Sequence, residues 1–216
     1  MSRITFLIFD LDDTLIHSNI DYATMKKRIT NLFEPNELPQ SNLTIKEMLE
    51  RFQNNPSILR KAYDIIESME SVSATQAEPI LYAEQIPGFL KEVNLRSAIL
   101  TNNSRSSVSR YLQNNKFNYL HNIGPIITRD DISAMKPDPA GLNYILDKFQ
   151  LKPSEVLFVG DSFIDAEAAG LAELKFILVN YRKLDLSKFS TQPWKVFNKL
   201  SEAISFIRSQ TIGCIY

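Results

Sequence analysis

Residues 5–9 form an unbroken run of apolar, β-forming side chains that stops abruptly at Asp10. A continuous run of that length reads as a strand buried on both faces, because a half-exposed strand would alternate apolar with polar. Runs of the same kind recur at residues 97–100, 126–127, 156–159 and 176–179. Between them lie helical patterns at residues 104–112, at 140–149 with Leu142, Ile145 and Leu146 on one face, and at 163–171. Strand and helix alternating over residues 88–208 predict an α/β fold, a Rossmann-like parallel sheet with helices on both sides. Ligands of such sheets bind at the carboxyl ends of the strands.

Residues 16–86 break that alternation, showing helical period without strand runs. Ile45, Met48, Leu49 and Phe52 follow i, i+3, i+4, i+7 spacing, and Thr44 with Glu47 makes a capping box in front of them. Leu59, Ala62, Tyr63, Ile66 and Met69 make a second stripe after Ser57, and Met25, Ile29, Leu32 and Phe33 an earlier one. Polar stretches at residues 35–42 and 53–56 separate the three. Stripes of this kind are how surface helices bury one face. The expected organisation is an α/β core of residues 1–15 and 87–216, with a helical insert of residues 16–86 after the first strand.

A chain of 216 residues suits one domain with a sizeable insertion. The 24 Lys and Arg against 25 Asp and Glu leave a net charge of −1, so no global field favours nucleic acid or an acidic membrane. Cys214 is the single cysteine, which excludes an intramolecular disulfide and a cysteine-based zinc site. With His17 and His121 the only histidines, any chemistry falls to carboxylates. No run of 18 apolar residues and no signal-peptide pattern is seen, and the expected setting is cytoplasmic. Composition is silent on oligomeric state.

Four polar clusters sit at predicted strand ends or loops. Asp10 and Asp12 follow the first strand, and in an extended continuation their carboxylates face one side. Adjacent carboxylates need a cation or hydrogen-bond donors, and a hard ion such as Mg²⁺ is one answer; helix capping is the other reading. An EF-hand loop from Asp10 fails, since Leu15 and Asp21 stand where Gly and Glu belong. Thr101, Asn102, Asn103 and Ser104 end the second strand and open a helix, as an ordinary N-cap or a phosphate-binding turn. Lys136-Pro137 lies in a turn before a helix. Gly160, Asp161, Ser162 and Asp165 end the strand at 156–159, with the glycine permitting close backbone approach.

Taken together and in this order, the clusters resemble the haloacid dehalogenase superfamily of hydrolases. Its Asp-x-Asp-x-Thr/Val motif is matched by Asp10, Asp12 and Thr14, its strand-terminal Thr or Ser by Thr101, its Lys by Lys136, and its Gly-Asp-Ser-x-x-Asp by Gly160, Asp161, Ser162 and Asp165. The insert looks like the C1-type cap of the phosphoglycolate phosphatase and phosphoglucomutase branch, and Pro87-Gly88-Phe89-Leu90 resembles the re-entry into the core. The resemblance implies a Mg²⁺-dependent phosphatase for a small phosphorylated molecule. Asp10 would be the nucleophile that forms an aspartyl-phosphate, and Asp12 the general acid and base. Thr101, the Asn102 backbone and Lys136 would bind phosphate. Asp10, the Asp12 carbonyl and Asp161 would hold the metal, with Asp165 orienting its water shell.

Sugar phosphomutases and pyrophosphatases or nucleotidases use the same motifs, so the substrate stays open. Outside the enzymes, a phospho-accepting signalling module shares the Asp, Thr and Lys, although the helical insert is large for one. Specificity is expected in the insert and its hinge, where His17, Asn19, Tyr22 and Lys26 are candidates. The segment from Ser209, with Ile212 and Ile215, reads as peripheral.

Overall fold

A computed structural model describes residues 3–35 and 43–212. Along the chain run β1 (Phe6–Phe9), β2 (Ile16–His17), α1 (Tyr22–Thr30), α2 (Ile45–Arg51), α3 (Pro56–Gln76), β3 (Glu78–Pro79), α4 (Ile86–Val93) and β4 (Arg96–Leu100). There follow α5 (Arg105–Leu112), β5 (Ile126–Ile127), α6 (Ala140–Phe149), β6 (Val156–Gly160), α7 (Phe163–Leu171), β7 (Lys175–Val179), β8 (Lys195–Phe197) and α8 (Leu200–Ile212). Two compact units emerge, Met1–His17 with Glu78–Tyr216, and Ser18–Ala77.

The first unit is built on a six-stranded sheet in the order β5-β4-β1-β6-β7-β8, with every pairing parallel. All four residues of β1 are buried, as the unbroken apolar run requires. Strand register puts even-numbered positions on one face, where Phe6, Ile8, Ala98, Leu100, Phe158 and Phe176 pack with Leu142 and Ile145 of α6 and Ala166 and Ala169 of α7. Leaving β1 the chain moves toward β4, and leaving β6 it moves toward β7. The strand order therefore reverses between β1 and β6, and a crevice opens there at the carboxyl ends. The N–H of Asp10 donates to Val159 O at 2.8 Å and that of Thr101 to Ile127 O at 2.9 Å, so the ladder holds both residues at the rim.

The second unit carries the three helices expected of the insert. Thr44 and Glu47 form the capping box, with the Thr44 N–H donating to Glu47 Oε2 at 2.6 Å and the Glu47 N–H to Thr44 Oγ1 at 3.2 Å. Asn55 caps α3 and Pro56 opens it, where a missing N–H costs nothing. The buried face of α3 runs through Ala62, Ile66, Glu70, Ser73 and Ala74. Tyr63, expected in that stripe, is 37% exposed, because one residue step turns it about 100° away from Ala62.

The helical unit is also shorter than 16–86. Ile16 and His17 pair antiparallel with Pro79 and Glu78, and the Tyr119 hydroxyl donates to Leu15 O at 2.8 Å, which ties both ends of the insertion to the sheet unit. The β2–β3 ribbon and edge strand β8 are absent from the sequence reading because His17, Glu78 and Lys195 interrupt any apolar run there. Cys214, Ile215 and residues 36–42 of the polar stretch lie outside the described residues. No helix among the described residues is long and apolar enough to cross a membrane.

Ile8 is fully buried at the centre of the sheet. Ile8→Ala is expected to cost about 2–5 kcal/mol, read as a lower urea midpoint at unchanged slope.

Candidate active site

Loops leaving β1, β4 and β6 bring the predicted residues together at the β1–β6 crevice. Lys136, from the turn before α6, inserts its ammonium among them. Its Nζ donates to Asp10 Oδ1 at 2.5 Å, Asp165 Oδ1 at 2.7 Å and Leu100 O at 3.3 Å, which uses all three of its donors. Only 4% of the residue is exposed. Burial opposes the ammonium charge, yet the Asp10 and Asp165 carboxylates outweigh it and raise its pKa above the ordinary lysine value. The backbone of Lys136 is clamped as well. Asn102 Nδ2 donates to Lys136 O at 2.9 Å, and Asn102 Oδ1 accepts from Lys136 N at 2.9 Å.

Asp10 and Asp12 meet different partners. Asp10 faces Lys136, with the Thr14 hydroxyl at 3.4 Å. Burial and the adjacent Asp165 carboxylate push its pKa up from 3.8 to about 8, against the pull of Lys136 and with a smaller push from Asp12. Asp12 instead accepts on Oδ2 from Asn103 Nδ2 at 2.8 Å and from Thr101 Oγ1 at 3.3 Å. Thr101 is itself fixed by the Asn103 N–H at 3.1 Å.

On the β6 side, Ser162 and Asp165 form a capping box at the start of α7, with Ser162 Oγ donating to Asp165 Oδ2 at 2.5 Å. Close packing is what Gly160 supplies, since a Cβ there would stand 2.8 Å from Asp165 Oδ2. Burial lifts Asp161 well above the usual carboxylate range, Asp10 and Asp165 add to the rise, and Arg182 opposes it. Asp10, Asp161 and Asp165 each offer a carboxylate oxygen, all within 4.8 Å of one another and all buried. An all-oxygen, anionic set suits a hard divalent ion, and the raised carboxyl groups are the excess negative charge that such an ion would relieve.

Asp10, Asp12, Thr101, Asn102, Lys136, Asp161 and Asp165 therefore meet at this crevice, in partly unexpected company. The carboxylate cluster contains Asp165 and not the Asp12 side chain. Asn102 reaches Lys136 through its own amide, and its carbonyl accepts from Arg129 Nη1 at 2.9 Å. Two contributors, Asp13 and Arg182, carry no role in the sequence reading, and Asn103, read there as part of a phosphate-binding turn, instead bonds Asp12. The guanidinium of Arg182 pairs with Asp161 and lies 3.3 Å from Asp13 Oδ2. Its signal was position, three residues beyond the predicted strand end at Val179. Of the specificity candidates, His17 Nδ1 sits 2.9 Å from Asp13 Oδ1 in the sheet unit, while Asn19, Tyr22 and Lys26 lie in the helical unit.

The family model for haloacid dehalogenase-like hydrolases matches residues 7–179. The chain is 28% identical over 194 residues to the phosphoglycolate phosphatase of Pectobacterium atrosepticum, spanning 84% of this chain and 82% of that protein. It is 26% identical over 195 residues to the pyrophosphatase PpaX of Bacillus cereus, spanning 83% and 84%. Among solved structures, a hydrolase from Pseudomonas syringae superposes with a TM-score of 0.75 at 19% identity, over 95% of this chain and 98% of that one. CbbY from Rhodobacter sphaeroides in complex with phosphate gives 0.67 at 16% identity, over 92% and 96%. The structural likenesses concern the fold.

Because the folded pKa of Asp10 is raised from 3.8 to about 8, the folded state binds more protons than the unfolded chain between those values. Stability from this group is complete below about pH 4 and is lost as pH rises through about 8. In chelator-containing buffer the melting temperature is expected to fall across that window, with a shallower slope in Asp10→Asn. Equal slopes for the two proteins would contradict the assignment.

Proposed function

We propose a phosphatase from one premise: the chain belongs to the haloacid dehalogenase-like hydrolase family. The observation that carries the reading is the pair of carboxylates leaving β1, with Asp10 on the Lys136 ammonium and Asp12 on the Thr101 hydroxyl and Asn103 amide. That is the arrangement expected of a nucleophile beside a proton-transfer group. The substrate is a small phosphomonoester of the cytoplasm. A second substrate class, pyrophosphate, is favoured by the likeness to the PpaX pyrophosphatase and would use the same residues.

In this reading an Asp10 oxygen attacks phosphorus, an O–P bond forms to give the aspartyl-phosphate, and the bond to the leaving oxygen breaks. Asp12 gives that oxygen its proton. Asp12 then takes a proton from water, whose oxygen attacks phosphorus, and the Asp10–phosphate bond breaks to release inorganic phosphate and restore Asp10. Thr101, the Asn102 N–H and Lys136 supply donors for the phosphoryl oxygens, where positioned charge does most of the work in phosphoryl transfer. The three donors of Lys136 are already engaged, so a phosphoryl oxygen has to replace one of its present acceptors. Asp10, the Asp12 carbonyl and Asp161 would hold Mg²⁺, with Asp165 beside them. When bound, Mg²⁺ offsets the repulsion between carboxylates and phosphate.

Phosphate release is to be measured over a panel of phosphate esters, nucleotides and pyrophosphate, with Mg²⁺ and with chelator. Mg²⁺-dependent release is expected, abolished in Asp10→Asn and reduced by roughly 10²–10⁴ in Asp12→Asn. The best substrate decides between monoester and pyrophosphate. Unchanged turnover in Asp10→Asn would overturn the mechanism, an isomerised product without phosphate would make the protein a mutase, and a long-lived aspartyl-phosphate would make it a signalling module.

A further inference from the structure

Arg182 has no part in the chemistry just described, yet it is the nearest cation to Asp161. It stands on a turn after β7 that Asn180 braces, donating from Nδ2 to Leu184 O at 3.1 Å and accepting on Oδ1 from Leu184 N at 2.6 Å. From there the guanidinium forks. Nη2 pairs with Asp161 Oδ2 and lies 3.5 Å from Asp161 O, while Nη1 lies 3.3 Å from Asp13 Oδ2. Asp13 is held in a left-handed backbone conformation, φ 57°, and its other oxygen meets His17 Nδ1 at 2.9 Å.

The two cations of the crevice thus differ in kind. Lys136 is sealed inside, whereas the Arg182 side chain is 37% exposed and approaches Asp161 from the solvent side. We infer that Arg182 is a positioning residue that sets the affinity of the crevice for its divalent cation. It holds the Asp161 carboxylate in place while the cation is absent, and its fixed positive charge weakens binding when the cation arrives. The inference rests on Asp161 being a ligand for Mg²⁺, as proposed above.

A carboxylate shared with a guanidinium is partly neutralised, and a unit positive charge one carboxylate away repels an incoming doubly charged ion. Both effects act in the same direction. The fork also explains why arginine rather than lysine stands here, since one planar group reaches two carboxylates at once. A bridge that served only to staple the β7 turn to the β1 loop would leave cation affinity unchanged.

The test is calorimetric titration of Mg²⁺ into chelator-treated protein at fixed ionic strength, paired with melting temperatures with and without Mg²⁺. Arg182→Gln is expected to tighten Mg²⁺ binding by about tenfold, at the Coulomb scale for partly exposed charges. It should also lower the metal-free melting temperature and enlarge the rise that Mg²⁺ produces. Arg182→Met is a second neutral variant that keeps the packing of the stem, and Arg182→Lys, which keeps the charge without the fork, should bring affinity back toward the wild-type value. Equal or weaker binding in both neutral variants overturns the inference, as does a lysine variant that behaves like glutamine. Wild-type protein that takes up no Mg²⁺ overturns the metal reading itself. Wild-type uptake with unaltered affinity in the variants removes the role of Arg182 alone.

Discussion

One buried ammonium holds the crevice together. Asp10, Asp12, Asp161 and Asp165 converge where β1 and β6 part, and Lys136 is the only cation enclosed with them among the described residues. Burying a charge is costly unless it is paired and its hydrogen bonds are filled, and Lys136 meets that condition with two carboxylates and one carbonyl. Its reach is possible because Asn102 fixes the backbone on either side of the side chain. The end of β4, the turn before α6 and the start of α7 therefore hold one another. Loss of the ammonium would leave Asp10 and Asp165 facing each other without compensation.

The sheet supplies the rigidity that such a charge cluster needs. Parallel strands buried on both faces leave little freedom at their carboxyl ends, and the ladder continues into Asp10 and Thr101 by backbone hydrogen bonds. Asp161 follows Gly160 directly, and Asp165 approaches that glycine more closely than any side chain there would permit. Position and charge are thus separated in the design. Apolar even-face packing beneath the rim sets where the carboxylates stand, and the polar contacts at the rim set how their charge is shared.

Much of this was legible in the sequence because it depends on local patterns. Unbroken apolar runs gave the strands, and helix 140–149 and helix 163–171 appear with the bounds read from their periodicity. Thr44 and Glu47 gave a capping box because both groups lie within four residues. What escaped depends on contacts distant in the chain. Arg182 meets Asp13 across 169 positions, and no spacing rule announces that encounter. Asn103 belongs to a segment whose hydroxyl, amide and backbone groups read as a phosphate-binding turn, yet its amide finds Asp12 91 positions away. The β2–β3 ribbon escaped because Ile16–His17 and Glu78–Pro79 offer no apolar run, so the insert reads as 16–86 where the compact helical unit is Ser18–Ala77.

The surroundings of the first two carboxylates argue for the division of roles between them. Two like groups can do different work only where their environments separate them. Asp10 lies against a full positive charge, which favours the ionised form that the proposed attack on phosphorus requires, while burial and Asp165 pull the other way. Asp12 receives a hydroxyl and an amide, neutral donors that orient one oxygen without bringing a second cation. Such donors orient the carboxyl group without fixing its charge, which suits the proposed role of giving and then taking a proton within one cycle. The same geometry explains why Thr101 and Asn103 follow β4 so closely: the donors that orient Asp12 have to come from the strand beside it, and β4 is the neighbour of β1 on that side.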